Sequence, residues 1–359
     1  MSQLMFTFEE AAEEVIVEQK EHKGTPVDLL PLEDYDHILI SESAGKDSMA
    51  CLFHLQDIGV DMRKVELYHQ SVDGGPDDPI FMDWPCTESY LEAVGQFFGI
   101  PVRYQWRDRG FKGELLRKDS ITGDVYYYDD SGNKIWLPSQ DKEKYRNTRL
   151  KWPALSSDLR TRWCSAAIKI DVFRRVLSNH PKFKGTKENP KKVLVVTGER
   201  REESFQRSRY LECELHSSNC QTRLVHAWRP VIDWKERDVW DAYEKRRFLP
   251  LVSYQLGWNR TSCFSCIFST PDLWAMLREI APERFQMLVE VEKEIGHTID
   301  PKMSLTEKAN LGSIDRLPKG EEFNLYIERA FHRSYRVEDL IMEKWHLPAG
   351  AFRRGGGPN

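Results

Sequence analysis

In the first third of the chain, short apolar runs of strand length alternate with longer amphipathic segments. The first apolar run, His37–Ile40, leads through a small-residue loop into a helix-patterned segment that ends before Gly59. The alternation repeats, with predicted strands at 65–69 and 101–106 and a predicted helix at 87–98 between them. Strands that alternate with helices favour a parallel twisted sheet with helices on both faces. The predicted fold class is therefore α/β.

Between residues 107 and 159 this alternation breaks, and the pattern predicts a β-hairpin instead. Two apolar runs, 125–128 and 135–137, flank a polar turn. We interpret the stretch as an insertion whose hairpin projects from the core. The α/β pattern resumes with a predicted helix at 166–178 and an interior strand at 192–196.

These patterns divide the chain into three parts. We predict an N-terminal helical segment at 1–35, an α/β domain with its insertion at 36–255, and a helical C-terminal region at 256–359 that follows a Cys-x-x-Cys segment. No apolar run approaches the roughly 20 residues that a membrane-spanning helix needs. The first residues do not resemble a secretory signal, so we expect a cytoplasmic protein without a membrane partner.

Charge and cysteine content add two further hints. The net charge is −5 over 359 residues, but residues 141–209 contain 19 Lys and Arg against 8 Asp and Glu. Such a basic zone suits a polyphosphate or a nucleic acid, although a solvated face without a partner explains it equally well. The seven cysteines include one Cys-x-x-Cys, at Cys263 and Cys266, which favours metal or thiol chemistry over a disulfide framework.

The most informative motif is Ser41–Ser48, between the first strand and its helix. Small residues let backbone N–H groups approach an anion closely, and the start of the helix directs its free N–H groups to the same point. Lys46 adds a positive charge for a phosphate, while Asp47 and Ser48 suit helix capping or a Mg²⁺ shell. The G-x-x-x-x-G-K-[ST] loop of kinases and GTPases is absent, because a single Gly precedes Lys46.

Two segments resemble a known family. Ser43–Ser48 resembles the S-G-G-K-D-S loop of the PP-loop ATP pyrophosphatases, with Ala44 in place of the usual Gly, and residues 198–207 resemble the G-x-R-x-x-E-S-x-x-R element of the phosphoadenosine-phosphosulfate reductase branch. The resemblance implies an adenine nucleotide alpha hydrolase-like fold that binds ATP and Mg²⁺. It implies ATP-binding residues at Ser41, Ser43, Ala44, Gly45, Lys46, Asp47, Ser48, Gly198 and Arg200. Catalytic roles fall to Lys46, Asp47 and Arg200, and substrate-phosphate binding falls to Arg162, Glu203 and Arg207.

Three cysteines are candidate metal ligands, namely Cys164, Cys263 and Cys266. The resemblance places Cys164 where iron–sulfur members of this branch carry a Cys-Cys pair, and the second position of that pair is Ser165 here. A soft metal site normally has four ligands, so the fourth would be Cys213, Cys220 or a group other than a thiolate. A [4Fe-4S] cluster, a structural zinc ion and plain reduced cysteines are the three alternatives.

The resemblance implies an ATP pyrophosphatase that adenylates an acceptor oxygen, so that sulfur can replace it. In layout the chain is most similar to the ATP pyrophosphatases of DNA phosphorothioation systems, which implies DNA, a cysteine desulfurase and other modification-complex subunits as partners. The main alternative is a reductase of adenylyl sulfate or phosphoadenylyl sulfate. That reaction needs a mobile nucleophilic cysteine near the C-terminus, and no cysteine follows Cys266. A third hypothesis is a nucleotide-gated DNA-binding or assembly subunit without turnover, which Ala44 and Ser165 favour.

Overall fold

The computed structural model describes residues 24–353, apart from Ser157 and Ser262. Most of the predicted N-terminal helical segment and the Gly-rich end of the chain lie outside the described residues. Within 24–35 the chain forms one 3₁₀ turn, Leu32–Asp34. No helix in the described ranges combines the length and apolar character needed to cross a lipid bilayer.

One eight-stranded sheet forms the centre of the fold. Its strands are β1 (His37–Ser41), β2 (Val65–Ser71), β3 (Val102–Arg107), β4 (Val125–Tyr128), β5 (Lys134–Leu137), β6 (Lys191–Val196), β7 (Cys213–Leu215) and β8 (Arg223–Trp228). Their spatial order is β5-β4-β3-β2-β1-β6-β8-β7, and the central strands β3, β2, β1, β6 and β8 are parallel. The predicted α/β class with a parallel-dominated sheet is confirmed.

Helices flank the sheet and form the C-terminal region. They are α1 (Lys46–Asp57), α2 (Thr87–Phe98), α3 (Gly110–Leu115), α4 (Asp171–Asn179), α5 (Glu236–Arg246), α6 (Val252–Gln255), α7 (Pro271–Ile280), α8 (Pro282–Ile295), α9 (Leu305–Asn310) and α10 (Glu321–Phe331). A π-helical segment, Cys164–Ile170, runs directly into α4. The helices predicted before Gly59, at 87–98, at 166–178 and after Pro271 are confirmed.

Strand β1 shows why both faces of the sheet are covered. Successive side chains of a strand point to opposite faces, and Ile38 and Ile40 join one buried cluster, which includes apolar residues of α1 and α2. Leu39 joins a second cluster, in which Phe173 and Val176 of α4 are buried. The apolar run that predicts β1 therefore lies between two cores, and the loop after it is held on both sides.

The predicted hairpin is present, but it does not project from the core. β4 pairs with β3 and β5 pairs with β4, both antiparallel, so that the hairpin extends the central sheet at one edge. Val125 and Tyr127 are buried in the α4 cluster. These inward-facing side chains need an apolar partner surface, and the edge of β3 also offers unpaired backbone groups. At the other edge β8 adds a parallel strand and β7 an antiparallel one, neither of which the pattern reveals.

Candidate nucleotide site and thiol pocket

The loop between β1 and α1, Ser41–Ser48, is called the phosphate loop below, and it opens onto a cleft of about 420 Å³ at the carboxyl ends of β1, β2 and β6. The chain passes from β1 to β2 on one side and adds β6 on the other. The cleft therefore lies where the strand order reverses, which is the usual ligand position in open α/β sheets. The predicted residues that line it are Ser41, Ser43, Asp47, Ser48, Gly198, Glu203 and Arg207. The other predicted ATP-binding residues, Ala44, Gly45, Lys46 and Arg200, are buried and do not line the cleft.

Glu42 turns its carboxylate back onto the phosphate loop. The backbone N–H of Ala44 donates to Glu42 Oε1 over 2.8 Å, and the Ser48 hydroxyl donates to the same atom over 2.5 Å. Glu42 is 1% exposed, and its Oε2 has no hydrogen-bond partner among the described residues. Burial raises the pKa of Glu42 to about 7, although these hydrogen bonds oppose the shift. The carboxylate thus occupies donors that the loop would otherwise offer to a phosphate.

The backbone of the phosphate loop is tightly constrained at two positions. Ala44 has a φ of +58°, in the left-handed region where Gly is favoured, so its methyl group is held at a cost in strain. At Gly45, an added Cβ would lie 3.0 Å from Ser43 Oγ and 3.1 Å from Thr261 Oγ1. The loop therefore accepts the departure from Gly at Ala44 but leaves little room for a side chain at Gly45.

Three charged residues form a network under the phosphate loop. Lys46 Nζ lies 3.3 Å from Asp47 Oδ2, and Arg200 Nε donates to Asp47 Oδ1 over 2.7 Å. Lys46 and Arg200 are only 4% and 3% exposed. Burial disfavours all three charges, but Asp47 raises the pKa of Lys46, and the two cations lower the pKa of Asp47. Arg200 thus positions Asp47 and the loop.

Gly198 allows the end of β6 to meet the first turn of α1. A Cβ on Gly198 would lie 2.6 Å from the backbone carbon and oxygen of Asp47 and 2.8 Å from the backbone nitrogen of Ser48. Backbone atoms at the start of a helix cannot rotate away as a flexible side chain can, so a larger residue would push the two segments apart. This close approach brings Arg200 within reach of Asp47.

Glu203 and Arg207 face the cleft from the segment after Gly198. They form an ion pair, and Glu203 also accepts a hydrogen bond from the backbone N–H of Arg200 over 2.9 Å. Both lie in or beside the short 3₁₀ turns Arg201–Glu203 and Arg207–Arg209. The resemblance element at 198–207 is therefore one structural unit on the cleft wall.

A second cavity of about 210 Å³, called the thiol pocket below, adjoins the cleft. The two cavities share the lining residues Val72, Ser165, Lys169, Arg207 and Arg260. The predicted residues Arg162, Cys164, Cys263 and Cys266 all line the thiol pocket. Cys164, Ser165 and Lys169 belong to the π-helical segment, and π turns are frequent at functional sites. The structure thus brings the three candidate thiols together beside the nucleotide cleft.

The thiol pocket does not supply a four-ligand metal site. Within the described ranges, no group of three or more His, Cys, Asp and Glu side chains is arranged to hold a metal ion. Cys213 lies in β7 and Cys220 is exposed, and neither lines the pocket. Burial raises the pKa of Cys164 to about 11 and the pKa of Cys263 well above its ordinary value. The described residues therefore bring the three candidate thiols together but show no complete ligand set for the predicted [4Fe-4S] cluster or the alternative zinc ion, both of which stay predictions.

Other residues without a predicted role also line the cleft, among them His69, Asp83, Lys169 and Arg260. His69 Nδ1 donates to the carbonyl oxygen of Glu42 over 2.9 Å, and burial lowers the pKa of His69 to about 4. The neutral ring therefore keeps a lone pair on Nε2, which has no partner in the part of the chain that the structure describes. Burial and the neighbouring Asp73 raise the pKa of Asp83 to about 7. The position of His69 near the end of a predicted strand is the one signal that could have indicated it.

The chain is similar to several known proteins over part of its length. Residues 133–268 match the phosphoadenosine phosphosulfate reductase domain. An uncharacterized protein of Methanocaldococcus jannaschii is 27% identical over 139 residues, which are 39% of this chain and 31% of that protein. An uncharacterized 37.8 kDa protein of Escherichia phage 186 is 26% identical over 147 residues, or 40% of this chain and 41% of that protein. The chain thus spans less than half the length of these relatives.

Two solved structures of Candida glabrata FMN adenylyltransferase are similar at 12% identity. One has a TM-score of 0.34 and the other, in complex with FMN and the ATP analog AMPCPP, a TM-score of 0.32. Each alignment covers 62% of this chain, with 52% and 54% of the respective adenylyltransferase chains.

Residues from the range that matches the family model form one wall of the cleft. Residues 133–268 include the three thiols of the thiol pocket and the unit at 198–207, whereas Val72, Met82 and Phe111 of that pocket and the phosphate loop precede the matched range. Both parts meet at the carboxyl ends of β1 and β6. The chain is therefore similar over residues 133–268 to the phosphoadenosine phosphosulfate reductase domain, and the phosphate loop, which precedes that range, faces the same cleft.

Proposed function

We propose that this protein is an ATP pyrophosphatase that transfers AMP to an acceptor oxygen. The observation that carries the proposal is the phosphate loop at the strand-order reversal, with Lys46 buried beneath it and a cleft in front of it. Loop N–H groups and the start of α1 suit the β and γ phosphates, which leave as pyrophosphate. ATP enters as its Mg²⁺ complex, since triphosphate oxygens are preferred Mg²⁺ ligands.

In the proposed step, an acceptor oxygen forms a bond to the α-phosphorus of ATP while the bond between that phosphorus and the β-phosphate bridging oxygen breaks. Negative charge then accumulates on the departing pyrophosphate, next to Lys46 and the loop N–H groups. Stabilisation of that charge and alignment of the two reactants account for the rate. Glu42 has to release the Ala44 N–H and the Ser48 hydroxyl before a phosphate can accept from them.

The proposed acceptor is a backbone phosphate of DNA, in the manner of the phosphorothioation systems that the sequence resembles. The cationic residues shared by the cleft and the thiol pocket, with Arg162 behind them, suit an anionic acceptor next to the nucleotide. Sulfur would arrive as the terminal sulfur of a persulfide on a cysteine desulfurase, attack the activated phosphorus, and displace AMP together with the acceptor oxygen. A second thiol would then attack the desulfurase sulfur of the S–S bond, forming a disulfide with that cysteine and releasing the phosphorothioate. Other subunits of the modification complex would bring that donor to the site.

The alternative reductase needs a thiolate that attacks the sulfonate sulfur. The buried Cys164 thiol has a pKa of about 11 and is protonated at neutral pH. Cys263 is likewise held in its thiol form by burial. The pyrophosphatase proposal needs no thiolate in this pocket, so the burial of these thiols favours it.

The test is ATP-dependent release of pyrophosphate from the purified protein with Mg²⁺, with and without DNA. We expect Lys46→Ala to lower the rate by about 100-fold or more, because a charge-stabilising group is lost. The matched control is Lys144→Ala, an exposed lysine of the basic zone that lines neither cavity, and it should leave the rate unchanged.

Two results would overturn the proposal. Release of sulfite from an adenylyl sulfate would favour the reductase. An absence of Lys46-dependent pyrophosphate under every condition, with DNA binding that ATP strengthens, would favour the nucleotide-gated assembly subunit.

A further inference from the structure

A third cavity, of about 820 Å³, lies outside the nucleotide cleft and the thiol pocket, and it is called the basic groove below. One side comes from the insertion and the segment after it, and the other from the loop that follows α8. Its polar and aromatic lining residues are Arg117, Asn147, Thr148, Arg149, Lys151, Trp152, Thr161, Trp163, His297 and Thr298. No acidic residue lines the groove within the described ranges.

Two buried side chains in the groove carry donors without an acceptor. Trp152 is 3% exposed and Arg117 is 9% exposed, yet Trp152 Nε1 and Arg117 Nε have no hydrogen-bond partner among the described residues. Glu114 Oε2 lies 3.8 Å from Arg117 Nε, which is too far for a hydrogen bond. The Nε of the half-buried Arg149 also has no hydrogen-bond acceptor among the described residues. Buried donors normally find an acceptor, so this set points to a ligand that supplies acceptors.

The lining of the groove also carries a net positive charge, which favours a ligand with negatively charged acceptor oxygens. Arg117 and Arg149 share one carboxylate, Glu114, whose Oε2 lies 3.0 Å from Arg149 Nη2. Lys151 adds an exposed ammonium group at the groove. Two guanidinium groups and an ammonium against one carboxylate leave an excess of positive charge, in a place where water is partly excluded.

The basic groove lies directly beside the thiol pocket. Along one segment, Thr161 and Trp163 line the groove while Arg162 and Cys164 line the thiol pocket. Alternate residues of the same backbone therefore face the two cavities, so that this segment forms part of the wall between them. An extended ligand in the groove would therefore pass close to the thiol pocket, which in turn adjoins the nucleotide cleft.

We propose that the basic groove binds the phosphate backbone of the nucleic-acid acceptor and guides it toward the thiol pocket. Phosphodiester oxygens are acceptors only, so they complement a donor-rich wall and its excess of positive charge. The proposal rests on the proposed function for the identity of the acceptor, and on the groove for where the acceptor binds.

The test is fluorescence anisotropy of a labelled single-stranded oligodeoxynucleotide with the full chain and without ATP. Lys151→Glu should weaken binding about tenfold, and Trp152→Phe, which removes the indole donor but keeps an aromatic ring, should weaken it severalfold. Lys151→Met should reduce the slope of log Kd against log salt by about one. The matched control Lys144→Glu changes a basic-zone lysine outside the groove, and it should leave the affinity within about twofold of wild type.

The outcomes separate this proposal from the proposed function. Wild-type affinity in both Lys151→Glu and Trp152→Phe overturns the groove assignment, even if Lys46-dependent pyrophosphate release is observed. Competition by polyglutamate as effective as by unlabelled oligonucleotide overturns it in favour of an acidic polypeptide. Displacement of the labelled oligonucleotide by inorganic phosphate as effectively as by unlabelled oligonucleotide, with a DNA affinity that does not depend on Lys151, overturns it in favour of a small-anion site. Groove-dependent DNA binding without pyrophosphate release supports the groove and contradicts the pyrophosphatase.

Discussion

The phosphate loop and the basic groove are both suited to phosphate, but their polar groups are in opposite states. In the loop, Glu42 already accepts from Ala44 and Ser48, and Asp47 already pairs with Lys46 and Arg200. In the groove, Trp152 Nε1, Arg117 Nε and Arg149 Nε have no acceptor among the described residues, and one carboxylate serves two guanidinium groups. The donors of the loop are thus largely paired within the chain, whereas the groove keeps three donor nitrogens without a partner.

This difference has consequences for stability and for binding. Internal partners remove the cost of buried unpaired groups, so the loop keeps its shape without nucleotide, but a phosphate has to compete with them. Unpaired donors reduce stability, but they favour any ligand that supplies acceptors. Variants that remove a partner should therefore harm the loop more than the groove.

The largest expected effect comes from Asp47→Asn. It removes the carboxylate that Arg200 and Lys46 share. Glu202 still pairs with Arg200, and Glu236 lies 3.9 Å from Lys46, so we expect the free energy of unfolding to fall by about 3 kcal/mol, at the low end for a broken buried ion pair. Chemical denaturation with urea, followed by tryptophan fluorescence, measures the change. The groove counterpart is Lys151→Met, an exposed cation, for which the change should stay within about 0.5 kcal/mol. Equal losses in the two variants would contradict the contrast between the regions.

A smaller effect per pH unit is expected from the ionisation of Glu42. The pKa of Glu42 is raised from 4.5 to about 7 in the folded chain, so the folded state binds its proton more tightly than the unfolded state does. Its contribution to stability is complete below pH 4.5 and is lost as pH rises through 7, at up to about 1.4 kcal/mol per pH unit. Binding of pyrophosphate should weaken over the same rise, since the ionised carboxylate holds the loop donors more strongly.

Glu42→Gln is the matched control for this pH dependence. Pyrophosphate itself titrates, so its affinity for both proteins is measured by calorimetry from pH 5.5 to pH 8.5, and the two profiles are compared. The variant should lack the part of the dependence that Glu42 causes, because an amide does not ionise in this range. Identical profiles for the two proteins would show that Glu42 does not control the loop.

The smallest expected effect is that of Ala44→Gly. Glycine relieves the left-handed strain at a φ of +58°, but it removes a fully buried methyl group and loosens the unfolded chain. Each effect is about 1 kcal/mol, so the net change in unfolding free energy should stay below about 1 kcal/mol. The control is Ala50→Gly, another fully buried alanine but within α1, where no strain is relieved and a loss of about 2 kcal/mol is expected.

The hairpin and the π-helical segment mark the limits of the sequence patterns. Alternating apolar residues predict β4 and β5, but nothing local indicates that their free edge joins β3. Helical spacing predicts the helix at 166–178, but not the wider turn that presents Cys164 and Lys169 to neighbouring cavities. Edge pairing and helix irregularities depend on tertiary partners, which no short window of sequence contains.

The candidate site divides in the same way. The sequence alone predicted the α/β class and the phosphate loop between β1 and α1, because turn residues, capping and apolar periodicity are local properties. The unit at 198–207 is indicated by its resemblance to a family motif. Tertiary structure decided that Gly198 touches the backbone of Asp47, that Arg200 is used to hold Asp47, and that Trp152 and Arg117 meet in one groove. These contacts join segments far apart in the chain, and only the packing of the sheet and its helices brings them together.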